Sequence, residues 1–344
     1  LHHGNNPGLV SHFVKAAIEY IVHKQFKKNK KLNQLLKENQ FRELAKELGI
    51  RMIHVNDIDL QEIKEEFKED KLVNTWCTDS FFFELLSEAT QNIGTHEEIK
   101  NKRFYRSFDS KNGFAEYKKI AVDMKCQTYY PNGAFEGYLV PHEETITIAK
   151  SLEVTDGENV IYRPSVMFIY SPCPLAKEYL KKAKVNEYPE VDPEKPQDIE
   201  EENGQSIIRG HRYPKEAEIV YREKIKEGTE YVGVLLMGDH FQPVWVGNRI
   251  ERSYFKKNSY WQTPTITPVA MSALAAVCWM LKHKENGGIY FPDDLPDYKY
   301  ILKVAEKYIS KTIYQTFDKT FLEKQIHVDF SKMKSEDFFV KEKE

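Results

Sequence analysis

EGYLVPHEETITI, from Glu136 to Ile148, carries two short runs of β-forming residues, Tyr138-Leu139-Val140 and Thr145 to Ile148, on either side of Pro141 and His142. Aromatic and β-branched side chains suit a half-buried pleated surface, so both runs are predicted as strands. Val160-Ile161-Tyr162, Tyr231 to Met237 and Val244 to Val246 continue the pattern, parted by turn residues such as Asp156-Gly157. Upstream of about Ile120 helices are more frequent. Asn6-Pro7 reads as a helix start, a side-chain acceptor followed by a preset φ. Leu9, Val10, Phe13, Val14, Ala17, Ile18 and Ile21 then recur at helical spacing. A second helix through Leu35, Leu36, Leu44 and Leu48 is expected to end at Gly49, and Ile50 to Val55 reads as a strand closing in Asp57. Strand-like Leu72 to Thr75 leads through Trp76 into a helix bearing Phe81, Phe82, Leu85 and Leu86, with Asp79 as its cap. Helices over Thr267 to Leu281 and Tyr298 to Ile309 complete the reading. The predicted class is α+β, a mixed sheet with helices mostly on one face.

Composition narrows the function classes. Fifty basic residues stand against 53 acidic ones in 344, a formal charge of -3, which gives no whole-chain attraction to nucleic acid or anionic lipid. The longest nearly apolar run, Val269 to Leu281, is too short to span a bilayer, and no signal segment opens the chain. Cys77, Cys126, Cys173 and Cys278 form no CxxC pair and read as reduced core residues of a cytoplasmic protein. Residues 187–204 hold three prolines among Asp and Glu and are expected to form an irregular acidic insert. Residues 1–310 read as one domain, which the resemblance described below makes a catalytic and dimerisation domain, and 311–344 as a charged tail with its last 20 residues loosely held. The first residue is Leu rather than Met, which suggests sequence upstream.

Familiar catalytic motifs are missing. There is no GxGxxG after a strand, no GxxxxGK[ST] and no GxSxG, and neither His96-Glu97 nor His142-Glu143 is followed by the second His of a zinc helix. Polar residues at predicted strand ends are what remain. His142 and Glu144, two apart in a predicted strand, face one side and form a pair able to pass protons, although a solvated strand face explains them as simply. Trp76 reads as core and Glu84 as an exposed helix residue. Asp57, at a strand tip, and Asp239-His240, after an apolar strand, sit where functional groups are often kept.

Taken in order, several segments carry a resemblance. They are Gly4-Asn5-Asn6-Pro7-Gly8-Leu9-Val10-Ser11, Val73-Asn74-Thr75-Trp76, Gly94-Thr95-His96-Glu97 and Glu136 to Glu144. Tyr162-Arg163-Pro164, Gly233-Val234-Leu235-Leu236 with Trp245 and Gly247, and Val277-Cys278-Trp279 follow. From residue 4 to about 310 the chain resembles the homospermidine synthases of the saccharopine dehydrogenase-like group. The resemblance implies a transferase using NAD as a resident redox group. One putrescine is oxidised to an imine, a second amine (putrescine or spermidine) displaces ammonia, and the stored hydride reduces the new Schiff base. It also implies a homodimer, and an NAD-binding Rossmann domain that precedes the Asn-Pro-Gly turn and is absent from this sequence. By family position Trp76 becomes an aromatic platform for cationic nitrogen, Glu84 and Asp57 amine-binding carboxylates, and His142 with Glu144 the proton-transfer pair. Asn6 falls near the nicotinamide, and either Asp239 or His240 is an acidic-loop contact.

Three departures stand out. Asp57 occupies a position where the family carries Glu, the His-Asp order of the family's loop is reversed at Asp239-His240, and the dinucleotide cradle is missing. The chain alone is therefore expected to fold and dimerise, yet to lack activity and NAD affinity, with the helix 298–310 as the surface for the absent domain. The competing readings are a truncated paralogue kept as a dimerisation or interaction module, and a saccharopine-type reductase. The second is disfavoured because no Arg stands at a matched position that would receive a carboxylate substrate.

Overall fold

The computed structural model describes residues 3–99, 101–182, 199–202, 205–208, 211–212, 214–255, 262–285 and 287–340. Its centre is the strand Ile50–Asp59, buried along nearly its whole length as a strand covered on both faces must be. Ser165–Ser171 pairs with it in parallel on one side and Thr229–Gly238 antiparallel on the other. Val244–Glu251 and Ile313–Thr316 extend the sheet beyond Thr229–Gly238, while Glu88–Asn92, Phe114–Ile120 and Tyr105–Asp109 extend it beyond Ser165–Ser171. A hairpin of Lys125–Tyr130 and Gly133–Leu139 also joins Ser165–Ser171.

Nine helices are described: α1 Leu9–Gln25, α2 Lys30–Lys37, α3 Phe41–Leu48, α4 Thr78–Leu86, α5 Glu144–Ser151, α6 Pro174–Lys182, α7 Ile266–Lys282, α8 Tyr298–Ala305 and α9 Lys319–Ile326. Alternation along the central strand divides the core. Ile53 and Val55 face the large cluster containing α1, α3, α5 and α8, whereas Met52, His54 and Ile58 face the opposite side. This is the expected α+β arrangement, a mixed sheet with its helices mainly on one face.

Local differences have physical reasons. Asn6 does not cap α1. Gly8 does, at φ 142, where an added Cβ would lie 1.9 Å from the Gly4 carbonyl oxygen. The single helix expected through Leu35 to Leu48 breaks around Asn39, which takes φ 55; α3 ends at Gly49 in the left-handed conformation, as expected. Cys77 rather than Asp79 is the N-cap of α4, leaving Asp79 in the first turn where the helix dipole favours an acid. Thr145 to Ile148 is helix, not strand. Thr145, Ile148 and Ala149 bury one stripe of α5 at helical spacing, and that packing overrides the β preference of Thr and Ile.

Two C-terminal regions pack within the chain. Tyr298, Ile301, Leu302 and Ala305 of α8 are buried against α1 and α7, which covers one face of that helix. The C-terminal region is no loose tail, because Leu322, Phe330, Met333 and Phe338 fill the core on the far side of the sheet. Burying a side chain of that size contributes about 1.5–3 kcal/mol. The acidic stretch 187–204 lies largely outside the described residues; within it Ile199–Glu202 is a strand paired with Gln205–Ile208.

Candidate active site

The carboxyl ends of the parallel strands Ile50–Asp59 and Ser165–Ser171 lie side by side, with Asp57 opposite Tyr170. Open α/β sheets commonly bind ligands at such strand ends. Asp57 and Asp59, two apart, share the helix-side face, and Asp59 is the cross-strand partner of Glu230. Three carboxyls therefore meet on one side of two adjacent strands, at 8%, 1% and 2% exposure respectively.

Their partners differ. Asp59 Oδ1 accepts from Gln61 N at 2.8 Å and Gln61 Nε2 at 3.0 Å, and its Oδ2 accepts from Thr75 Oγ1 at 2.5 Å. Asp57 Oδ2 accepts only from Asn6 Nδ2, at 2.8 Å, while Asp57 Oδ1 and Glu230 Oε2 have no partner among the described residues. Burial above all, with Asp59 and Glu84 adding to it against the pull of Asn6 and His142, lifts Asp57 to about 7. Burial raises Asp59 to about 6 against its hydrogen bonds, and it carries Glu230 well above the carboxylate range, with Asp57 and Asp59 adding to that rise.

Beside the acids stands an aromatic wall. Trp76 Nε1 donates to Tyr170 Oη at 2.7 Å, and Phe81 meets both rings edge-on at 6.1 and 6.2 Å. Phe168, two residues before Tyr170 on the same strand face, carries the His142 ring stacked at 4.1 Å. His142 Nδ1 lies 2.9 Å from Glu144 Oε2, and its Nε2 lies 3.5 Å from Glu84 Oε1. Desolvation pulls the imidazole pKa down, but the Glu144 and Glu84 carboxylates outweigh it and push the pKa well above the ordinary value. Glu144 is fully buried, and its Oε1 has no partner among the described residues.

Trp76, Glu84, His142, Glu144, Asp57 and Asn6 thus converge on one face. His142 and Glu144 meet by a different route from the one their spacing implied, the first in a loop and the second as the opening residue of α5. Glu84 faces His142 rather than standing free on a helix surface. Asp239 and His240 are not in this group. Gly238 is registered with Ile50, at the opposite end of the central strand, and Asp239 Oδ1 accepts from Arg51 Nε there at 2.7 Å. A hollow of about 250 Å³ opens at that end, lined by Gln25, Asp239, His240, Gln242 and Lys319. Its polar groups bond to one another: Lys319 Nζ donates to the Asp239 carbonyl and Gln242 N to Gln25 Oε1. Three residues at the acidic end escaped the sequence reading. Asp59 was detectable, two residues beyond Asp57; Glu230 and Tyr170 needed the register.

Among the described residues no group of His, Cys, Asp and Glu is placed to hold a metal ion. The glycine-flanked start of α1 does not fit a dinucleotide pyrophosphate. Pro7 has no N–H, and the amides of Leu9, Val10 and Ser11 already donate to the carbonyls of Gly4, Asn5 and Gly8. Asn6, placed near the nicotinamide by the resemblance, spends its amide on Asp57.

Comparison with known proteins follows the same direction. The chain is 28% identical over 317 residues to a homospermidine synthase of Blastochloris viridis, covering 90% of this chain and 59% of that protein. It is 27% identical over 310 residues to a homospermidine synthase of Mesorhizobium japonicum, covering 89% and 58%. A crystal structure of the homospermidine synthase of Legionella pneumophila in complex with NAD superposes with a TM-score of 0.74 at 26% identity, over 92% of this chain and 63% of that one. The chain spans somewhat under two thirds of the length of each of these relatives. No family model matches it.

Proposed function

We propose that this chain, similar over about nine tenths of its length to homospermidine synthases, supplies the amine-binding and proton-transfer part of an NAD-dependent aminobutyl transfer between putrescine molecules. One observation carries the reading: buried carboxyls with unpartnered oxygens, Asp57 Oδ1 and Glu230 Oε2, grouped on the face that holds Trp76. A buried anion without a counter-charge is strongly disfavoured, and an alkylammonium brings both the charge and three N–H donors. Trp76 adds a face for the cationic nitrogen or the iminium that follows it, worth about 2 kcal/mol when desolvated.

Two proton tasks follow from the chemistry. An alkylammonium must lose a proton before its carbon can release hydride, and Asp57, lifted to about 7, is tuned to take it near neutral pH. Ammonia must be protonated as it leaves, and His142, held cationic by Glu144 and Glu84, is the donor for that step. In this reading the hydride acceptor is NAD, the nucleotide bound to the Legionella pneumophila homospermidine synthase, and the start of α1 is no place for its pyrophosphate. No hydride step is therefore assigned to residues of this chain. Calorimetric titration with putrescine, butylamine and succinate tests the reading. Putrescine should saturate a site, butylamine should bind more weakly, and succinate should give no heat; a chain indifferent to putrescine would overturn it.

A second role draws on α7. Val269, Val277, Met280 and Leu281 lie 39–61% exposed on its outer face, an apolar stripe suited to a second copy of the chain. Sedimentation should show a dimer that Met280→Glu dissociates.

A further inference from the structure

We propose that Asp57 and Glu230 hold one proton between them while the site is empty, and release it to solvent when a diamine cation enters. The inference rests on the amine-site reading above and adds a proton exchange to it.

Register supplies the geometry. Asp59 sits directly across the ladder from Glu230, and Asp57 is the next residue along on the same face. Like charges placed directly opposite in a sheet repel, and here the three are almost fully shielded from water. Such a trio survives only if its charge is reduced. Asp59 is settled as the fixed anion, since three donors hold its two oxygens. Asp57 and Glu230 have no comparable set. Asp57 has one donor, and Glu230, beside Asp57 and Thr265, keeps Oε2 without a partner.

The surrounding groups do not neutralise the pair. From α4, Glu84 adds further negative potential at Asp57; from the loop before α5, His142 opposes it. From α6, Lys177 acts on Asp59, but its Nζ is bound to Ser171 Oγ at 2.5 Å. Tyr170 and Cys173 are neutral, burial raising both thiol and phenol. A proton shared by Asp57 and Glu230 is then the remaining source of positive charge. Burial, with Asp59 and Glu84 adding to it, holds Asp57 near 7, and burial with the repulsion of Asp57 and Asp59 holds Glu230 well above the carboxylate range, in agreement with that arrangement. An entering diamine replaces the proton as counter-charge. The proton leaves to buffer, and the freed carboxylate becomes the base for the next deprotonation.

Two measurements on the whole chain at pH 7 test this. Infrared spectra of the empty protein should show the carbonyl stretch of a protonated carboxyl, absent from the Asp57→Asn/Glu230→Gln double variant and bleached by putrescine. Titration calorimetry with putrescine in phosphate and in Tris should give heats whose difference corresponds to release of about one proton per bound diamine. Saturable binding with buffer-independent heat and an unbleached band would overturn the stored proton and leave the amine site standing. Failure to bind putrescine at all would overturn the amine site and this proposal with it.

Discussion

At one end of the central strand Arg51 Nε meets Asp239 Oδ1 at 2.7 Å, and the neighbouring polar groups close on one another. At the other end Asp57, Asp59 and Glu230 crowd together, and two of the three keep an oxygen with no partner among the described residues. Both ends carry acid side chains at or just beyond the ends of adjacent strands, a single partly exposed one at the first and three buried ones at the second. The difference lies in the counter-charge. The partly buried Asp239 has its own arginine, whereas the buried acids have none within reach among the described residues, and their charge must be lowered by a proton or by a cation from outside. A hollow of about 250 Å³ lies at the paired end, away from the three buried acids.

The largest expected effect that separates the ends is a pH slope. Asp57 is raised to about 7 from an unfolded value of about 3.9, so its stabilising contribution is complete below the unfolded value and is lost as pH rises through 7. Between those values the slope reaches about 1.4 kcal/mol per pH unit for a full proton. Urea unfolding from pH 4 to 8 should show this fall in the wild type and a flatter curve in Asp57→Asn; parallel curves would mean that the acidic end is already neutralised within the fold.

Next in size is the aromatic wall. Trp76→Ala should weaken putrescine binding about 30-fold, the equivalent of about 2 kcal/mol, while Trp76→Phe keeps a π face and most of the affinity. Equal losses would make Trp76 a packing residue that serves Tyr170 through its indole N–H.

Smaller still, but opposite in sign, are the stability changes on removing a carboxylate. Glu230→Gln removes the repulsion that returns once the shared proton is lost, and should stabilise the chain by about 1 kcal/mol at alkaline pH. Asp239→Ala strands Arg51 in a partly exposed pair and should destabilise it by about 1 kcal/mol. Thermal unfolding of the two variants side by side checks this, and a shift in the same direction would erase the distinction between the ends.

Much of this protein was legible along the chain. The stripe from Leu9 to Ile21 and the strands at 50–55, 231–237 and 244–246 were readable because burial of one face imposes a period that survives in the residue types. Trp76, Glu84, His142 and Asp57 were reached through motif resemblance, and the fold gathers them. Thr145 to Ile148 was misread because a four-residue run fits either period, and only contact with the rest of the chain chooses between them. Asp239-His240 was misplaced for a related reason: a loop motif has no address until the strand before it is registered against its neighbours. Glu230 was invisible for the same cause, its meaning arising from Asp59 across the ladder. What the residues determined unaided was the local periodicity, the near-neutral charge balance and the absence of a glycine-rich phosphate cradle, all properties of neighbours in sequence. Which acids share a face, which one owns a counter-charge and which are left without one were decided by tertiary structure, because electrostatic energy depends on distance through space and on exclusion of water, and neither is written in sequence separation.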